Sequence, residues 1–365
     1  MIRTRQSARL TAALLLLALL AGLCACGRTA ETDGAVLRCG SLELTNRDLA
    51  YYYWSEYYFL INEGGSSLDP DTDPASQLAD DSRTWQDTLL DRALLTVQDT
   101  SAMVLAAQEA GFTLPADYQD SLEQTMQNLT AYAEALGFTD ESGAADTAAY
   151  LRASYGPEAD EESFRRYLEH AYLATAYADA LRAQLEAPDA EAVRTYFAQH
   201  AQDFPGLSLT DGPMPDALVL RFDRYDDNTA MANTVASSWL AEGGGADALR
   251  TLGETYCGGA EFWSAAWPGD GQTADCAADW LFDPARKTGD NAVFTDADSA
   301  YLVLVTGFEA EARWQQAAKE AMLDEQARNE ALRISDRYEL QIDRDAIVIP
   351  QPEGLFQKNN NEEQK

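Results

Sequence analysis

The sequence predicts an α+β protein in which a mostly helical first part is completed by a C-terminal helix and strand, with a smaller α+β domain inserted between them. Three observations predict it. Apolar residues recur at helical spacing within residues 82–203: Phe164, Leu168, Ala171, Tyr172 and Thr175 mark one helix face, and Val193, Tyr196, Phe197 and His200 another. The texture changes at DGPMP (211–215), after which apolar runs such as AYLVLV (300–305) alternate with short helical stretches. Helical spacing then returns at Trp314, Ala318, Ala321 and Met322 and runs into a β-like stretch over 338–349.

The chain begins with Arg3, Arg5 and Arg9, an apolar run over 10–23, and the tetrapeptide LCAC (23–26). A basic start, a short apolar core and a small residue before a cysteine form an export signal, and the run is shorter than the ~20 residues that span a bilayer. Leu23 at −3 and Ala25 at −1 resemble the lipobox of bacterial lipoproteins, which implies removal of residues 1–25, lipid on Cys26, and anchoring at the extracytoplasmic face of the plasma membrane. The small polar stretch after it makes 26–35 a tether.

Elements follow in order. Residues 36–44 read as a short strand pair or a strand and turn, with Gly40 and Ser41 as the turn, and Thr45 with Asp48 reads as an N-cap with an acidic first turn. The helix they open carries Tyr51, Tyr52, Tyr53, Trp54, Tyr57, Tyr58 and Phe59, an aromatic belt read as core packing, with a cradle for unfolded polypeptide as the competing reading. Helices separated at 111–115, 137–143, 156–157 and 187–188 fill the domain to residue 212. The insert takes 213–312, with a strand at 217–222, helices at 229–242 and 246–254, and a buried strand at 300–305. Residues 313–350 return as a helix and strand that pack on the first domain, and 351–365 form a disordered tail.

Composition narrows the function. The formal charge of −35 becomes −38 once the three N-terminal arginines are removed, which repels nucleic acid and anionic lipid surfaces. Of five cysteines, Cys39, Cys257 and Cys276 lie outside the signal; the last two are either a disulfide pair or buried thiols. Two histidines, His170 and His200, are too few for a His-rich metal site or a His-based triad, and no metal or cofactor is expected. Asp69, Asp71, Asp73 and Asp80 imitate the spacing of a calcium loop, but Pro74 stands where the sharp turn needs glycine, so the stretch reads as an acidic solvated loop. Gly243, Gly244 and Gly245 lack the following Lys and Ser/Thr of a phosphate cradle.

Several stretches carry a family resemblance: LELTNRDL (42–49), AQEAGFTL (107–114), YG (155–156) before ESFRRYL (162–168), and DAEAVRTYFAQHAQDF (189–204). With the order of elements, they resemble the PrsA/SurA-type extracytoplasmic foldases, whose insert is a parvulin domain. In the insert the resemblance is carried by 249–256 before the active-site loop, the double glycine at 258–259, and KTGD (287–290). It implies a membrane-anchored chaperone for unfolded or secreted polypeptides, with a homodimer compatible with it and no nucleic-acid partner. Active prolyl isomerisation is the alternative, and a solute-binding lipoprotein the second. Catalytic parvulins carry a histidine in the first strand and another in the last; Ala217 and Leu302 stand at those places here, and Cys257 lies near the family's Cys/Asp position as a weak catalytic candidate. Trp263, Trp267, Trp280, Phe282 and Tyr301 are the expected walls of a peptide groove.

Overall fold

The computed structural model describes residues 34–64, 66–223, 225–353 and 355. The signal, Cys26 and the tether up to residue 33 lie outside the described residues. The chain divides into two compact units, one built from residues up to Leu185 and from Gln326 onward, the other from Glu186–Glu325. Expected boundaries at 212 and 313 differ from these because the aromatic side of the helix at 190–199 packs with Trp314 and Ala318.

The first unit opens with a hairpin, β1 (Leu37–Cys39) and β2 (Leu42–Leu44), turning at Gly40. Helix α1 (Asn46–Glu63) starts in a capping box in which Thr45 accepts from the Asp48 N–H and Asp48 from the Thr45 N–H. Then come α2 (Trp85–Glu109), α3 (Ala116–Ala135), α4 (Thr147–Tyr155) and α5 (Glu161–Ala183). Asp146 and Asp160 cap α4 and α5, and Gly111, Gly137 and Gly156 close the preceding turns at positive φ. Tyr51, Tyr52, Tyr53, Trp54, Tyr57 and Tyr58 are all buried, so the belt is core, and only Phe59 reaches solvent.

Within the second unit, α6 (Ala190–Gln199) precedes β3 (Pro213–Phe222), α7 (Asn228–Ala241), α8 (Ala246–Tyr256), β4 (Glu261–Trp263), α9 (Asp275–Leu281), β5 (Asn291–Thr295) and β6 (Ala300–Ala312). The sheet is antiparallel with order β4-β3-β6-β5, and β3 and β6 form its spine from Ala217 opposite Val305 to Phe222 opposite Ala300. Period-two alternation splits the side chains. Leu218, Leu220, Phe222, Leu302 and Leu304 pack beneath α7 and α8, whereas Ala217, Val219, Tyr301, Val303 and Val305 face Ala277 and Leu281 of α9. Gly253 lets α8 press on β3, since a Cβ there would sit 2.7 Å from Leu220 Cδ2 and 3.0 Å from the Ala260 nitrogen.

Helix α10 (Arg313–Ser335) begins in the second unit, where Trp314 meets Phe197 with ring centroids 5.3 Å apart. Its last turn belongs to the first unit, with Ile334 buried against Ala102, Met103 and Ala106 of α2. Next, β7 (Leu340–Ile342) joins β1 to give the order β2-β1-β7, pairing Leu37 with Ile342. The β-like stretch expected over 338–349 is thus a strand over three residues only. Beyond it comes a 3-10 turn, Arg344–Ala346, and residues 347–352 then run without a strand partner and bond to helices instead.

Candidate functional site

The sheet face under α9 collects four of the five expected groove residues. Trp263 and Tyr301 lie there with ring centroids 6.3 Å apart, and Trp280 and Phe282 pack at the edge, where Trp280 meets Phe294 at 5.3 Å. Trp263 is 2% and Tyr301 7% exposed, so these two are core and only the half-buried rings at the edge reach solvent. Trp267 stands apart from the cluster, beneath the Arg313 guanidinium at 4.1 Å from the ring centroid. Arg286 covers Trp280 at 4.9 Å and reaches Asp290 at 3.5 Å.

The chemistry available on this face is limited. Burial pushes the Cys276 thiol above its ordinary range. The Tyr301 hydroxyl is raised by burial and by the hydrogen bond it donates to Asp296, at 2.8 Å. A raised thiol and a raised phenol are protonated at neutral pH and are poor bases. Cys257 ends α8 and packs on the opposite face with Leu249, so it cannot act on a group held by Trp280 or Phe282. Cys257 and Cys276 form no disulfide, because the sheet stands between them. Ala217 and Leu302 also look to opposite faces. Among the described residues no three His, Cys, Asp or Glu side chains converge as metal ligands. Asp69 and Asp80 instead accept hydrogen bonds from their own turns, and His200 stacks on Tyr196.

A second arrangement, missed by sequence reasoning, lies along α1. The segment AIVIPQPE (346–353) runs beside this helix and is gripped through its backbone. Asn46, buried at the first turn, donates from Nδ2 to the Ala346 carbonyl (3.0 Å) and accepts the Val348 N–H on Oδ1 (2.9 Å). Two turns on, the indole N–H of buried Trp54 donates to the Pro350 carbonyl at 2.8 Å. The Arg152 carbonyl of α4 accepts the Glu353 N–H at 3.2 Å. Eight helical residues rise ~12 Å, close to the ~10 Å that three extended residues cover, which matches grip points at 346–348 and 350.

Side chains of the segment alternate. Ile347, Ile349 and Leu355 pack on the core of the first unit and Pro352 is buried, whereas Val348, Gln351 and Glu353 face solvent. Gly156 makes room, for a Cβ there would lie 2.9 Å from Pro350 Cβ and 3.1 Å from its carbonyl oxygen. Its φ of +116° independently favours glycine. The tail expected to be disordered from 351 is docked at residues 351–353 and 355; the remainder lies outside the described residues. The signal for this site was the pair Pro350 and Pro352, which favours extended backbone before each proline.

No family model and no curated protein matches this chain. Among solved structures it is similar to a chain from the pair PEB4 and Cj1289, SurA-like chaperones of Campylobacter jejuni, with 11% identity and a TM-score of 0.30 over 85% of this chain and 99% of that one. It is also similar to the foldase protein PrsA of Streptococcus pneumoniae, with 14% identity and a TM-score of 0.29 over 73% and 87%. No helix among the described residues is long and apolar enough to cross a membrane.

Proposed function

We propose that this protein is a lipid-anchored extracytoplasmic chaperone that holds unfolded stretches of secreted polypeptide and does not depend on prolyl isomerisation. The observation that carries the reading is the grip on an extended segment along α1. Four hydrogen bonds to main-chain groups, from Asn46, Trp54 and Arg152, do not depend on which side chains the segment bears. Recognition of that kind suits a protein with many clients. The export signal and LCAC at 23–26 support the location, with Cys26 as the lipidated residue, and the strong acidity supports polypeptide rather than nucleic-acid partners.

Isomerisation would have to lower a barrier of ~18–20 kcal/mol by seating and twisting the amide in a pocket. Apolar Ala217 and Leu302 on opposite faces, and Cys257 across the sheet from Trp280, argue against such a pocket in the insert. The solute-binding reading predicts repeated βαβ units with parallel strands, and the pairing among the described residues is antiparallel.

The test is an aggregation assay on a chemically unfolded client. Delayed aggregation at stoichiometric amounts of the mature chain is the expected result, and no delay at tenfold excess contradicts the reading. For the anchor, Cys26→Ala should abolish membrane partitioning and normal processing; unchanged partitioning contradicts lipidation.

A further inference from the structure

We propose that residues 346–353 are a built-in, displaceable occupant of the α1 groove, and that a client segment with alternating apolar residues followed by spaced prolines takes their place. The inference rests on the chaperone reading and deepens it by naming what the groove accepts and what guards it.

The grip is on main-chain groups. Asn46 satisfies the Ala346 carbonyl, at the end of a 3-10 turn, and the Val348 N–H two residues on, and Trp54 and Arg152 each take one more main-chain group from the extended stretch that follows. Side-chain bonds are few and solvated: Gln351 to Asp73 at 2.6 Å, and Arg152 to Glu353 at 3.9 Å with both partners partly exposed. Exposed pairs of this kind hold weakly. Selectivity comes from shape. Ile347 and Ile349 point inward, Val348 outward, and Pro350 fits where Gly156 leaves space, so apolar, any, apolar, proline is the pattern the groove accepts. Proline suits the site twice over, since its fixed φ keeps the segment extended and the carbonyl that Trp54 binds needs no N–H on the same residue.

Release of the segment also leaves the fold's strands in place. The preceding strand β7 stays paired with β1, and Asp343 donates its N–H to the Val36 carbonyl at 2.9 Å, so the hinge falls after residue 343. Tethered there, the segment competes as an intramolecular ligand at an effective concentration in the ~mM range. A client therefore binds with an affinity lowered by the fraction of time the groove is open.

The experiment titrates a fluorescein-labelled peptide of sequence AIVIPQPEGL with the mature full-length chain and follows anisotropy. The double variant Ile347→Ser and Ile349→Ser loosens the resident segment and should bind the peptide at least ~10-fold tighter than the unaltered chain. Adding Asn46→Ala to that variant should remove the gain. Equal affinity of the loosened and unaltered chains, with the Val348 amide exchanging faster in the loosened one, overturns the proposal. Should the loosened variant fail to fold, amide exchange of the unaltered chain decides: saturating peptide must accelerate exchange at Val348, and unchanged protection contradicts displacement. Aggregation suppression by the unaltered chain, measured alongside, separates the two ideas. Suppression without peptide exchange defeats the occupant and leaves the chaperone reading standing; absent suppression defeats that reading on its own.

Discussion

The aromatic helix α1 and the aromatic face beneath α9 are similar in composition and opposite in use. On α1 four of the buried rings direct their polar tips at main-chain groups: Tyr51 to the Asp160 carbonyl, Tyr57 to that of Pro70, Tyr58 to that of Ser154 and Trp54 to that of Pro350. On the sheet face, Trp263 has an indole N–H with no hydrogen-bond partner, and Tyr301 bonds to an acid on its own hairpin. Aromatic content alone therefore does not identify a binding surface. What separates the two is Trp54, whose polar tip alone among these reaches the segment proposed to exchange, at the Pro350 carbonyl.

Substitution at Trp54 sharpens that comparison most. Trp54→Ala should cost roughly 3–5 kcal/mol in urea denaturation, as for other buried large-to-small changes. Trp54→Phe keeps much of the packing and should cost only about 1 kcal/mol, the worth of one hydrogen bond, while freeing the Val348 amide to exchange. If the two variants are equally unstable, the indole N–H is not what holds the segment. In the second unit, Gly253→Ala should destabilise by about 1–3 kcal/mol, because the methyl meets Leu220 and the Ala260 backbone and overpacking outweighs the gain in helix propensity. A neutral result would mean that α8 can slide on β3.

A pH effect of smaller size is expected from the first unit. Burial, and after it the Arg166 charge, lowers His170 below its ordinary 6.5, against the opposing pull of Asp48 and Glu169. A histidine whose folded pKa is depressed leaves stability intact above the unfolded value and loses it as pH falls through the window below about 6.5. His170→Gln should flatten the loss of melting temperature in that window; an unchanged slope assigns the effect elsewhere. The smallest effect belongs to the solvated Arg165 and Glu123 pair, at 2.6 Å, where Arg165→Ala should leave the denaturation midpoint unmoved.

Much of the fold was legible because local chemistry and tertiary structure agree. Thr45 and Asp48 cap α1 as their spacing predicts, glycine breaks end the helices, and the alternation of 217–222 and 300–305 builds the spine of the second sheet. Less was legible where the answer depended on distant partners. The strand after α10 is short because Val348 bonds to the Asn46 side chain, some three hundred residues away. Nothing in a helix-opening Asn announces that role. Trp263 and Tyr301 were expected as groove walls from residue type, but strand alternation beneath α9 seals them into the core, leaving Trp280 and Phe282 at its edge.

Measuring cis/trans exchange of a proline-containing peptide by NMR, with and without the full-length mature chain, tests the central claim most directly. Uncatalysed exchange takes tens to hundreds of seconds, so even modest catalysis is visible. The account predicts peptide resonances perturbed by binding while the exchange rate stays at its uncatalysed value. A robust acceleration abolished by Cys257→Ala would contradict it and make the insert a working isomerase.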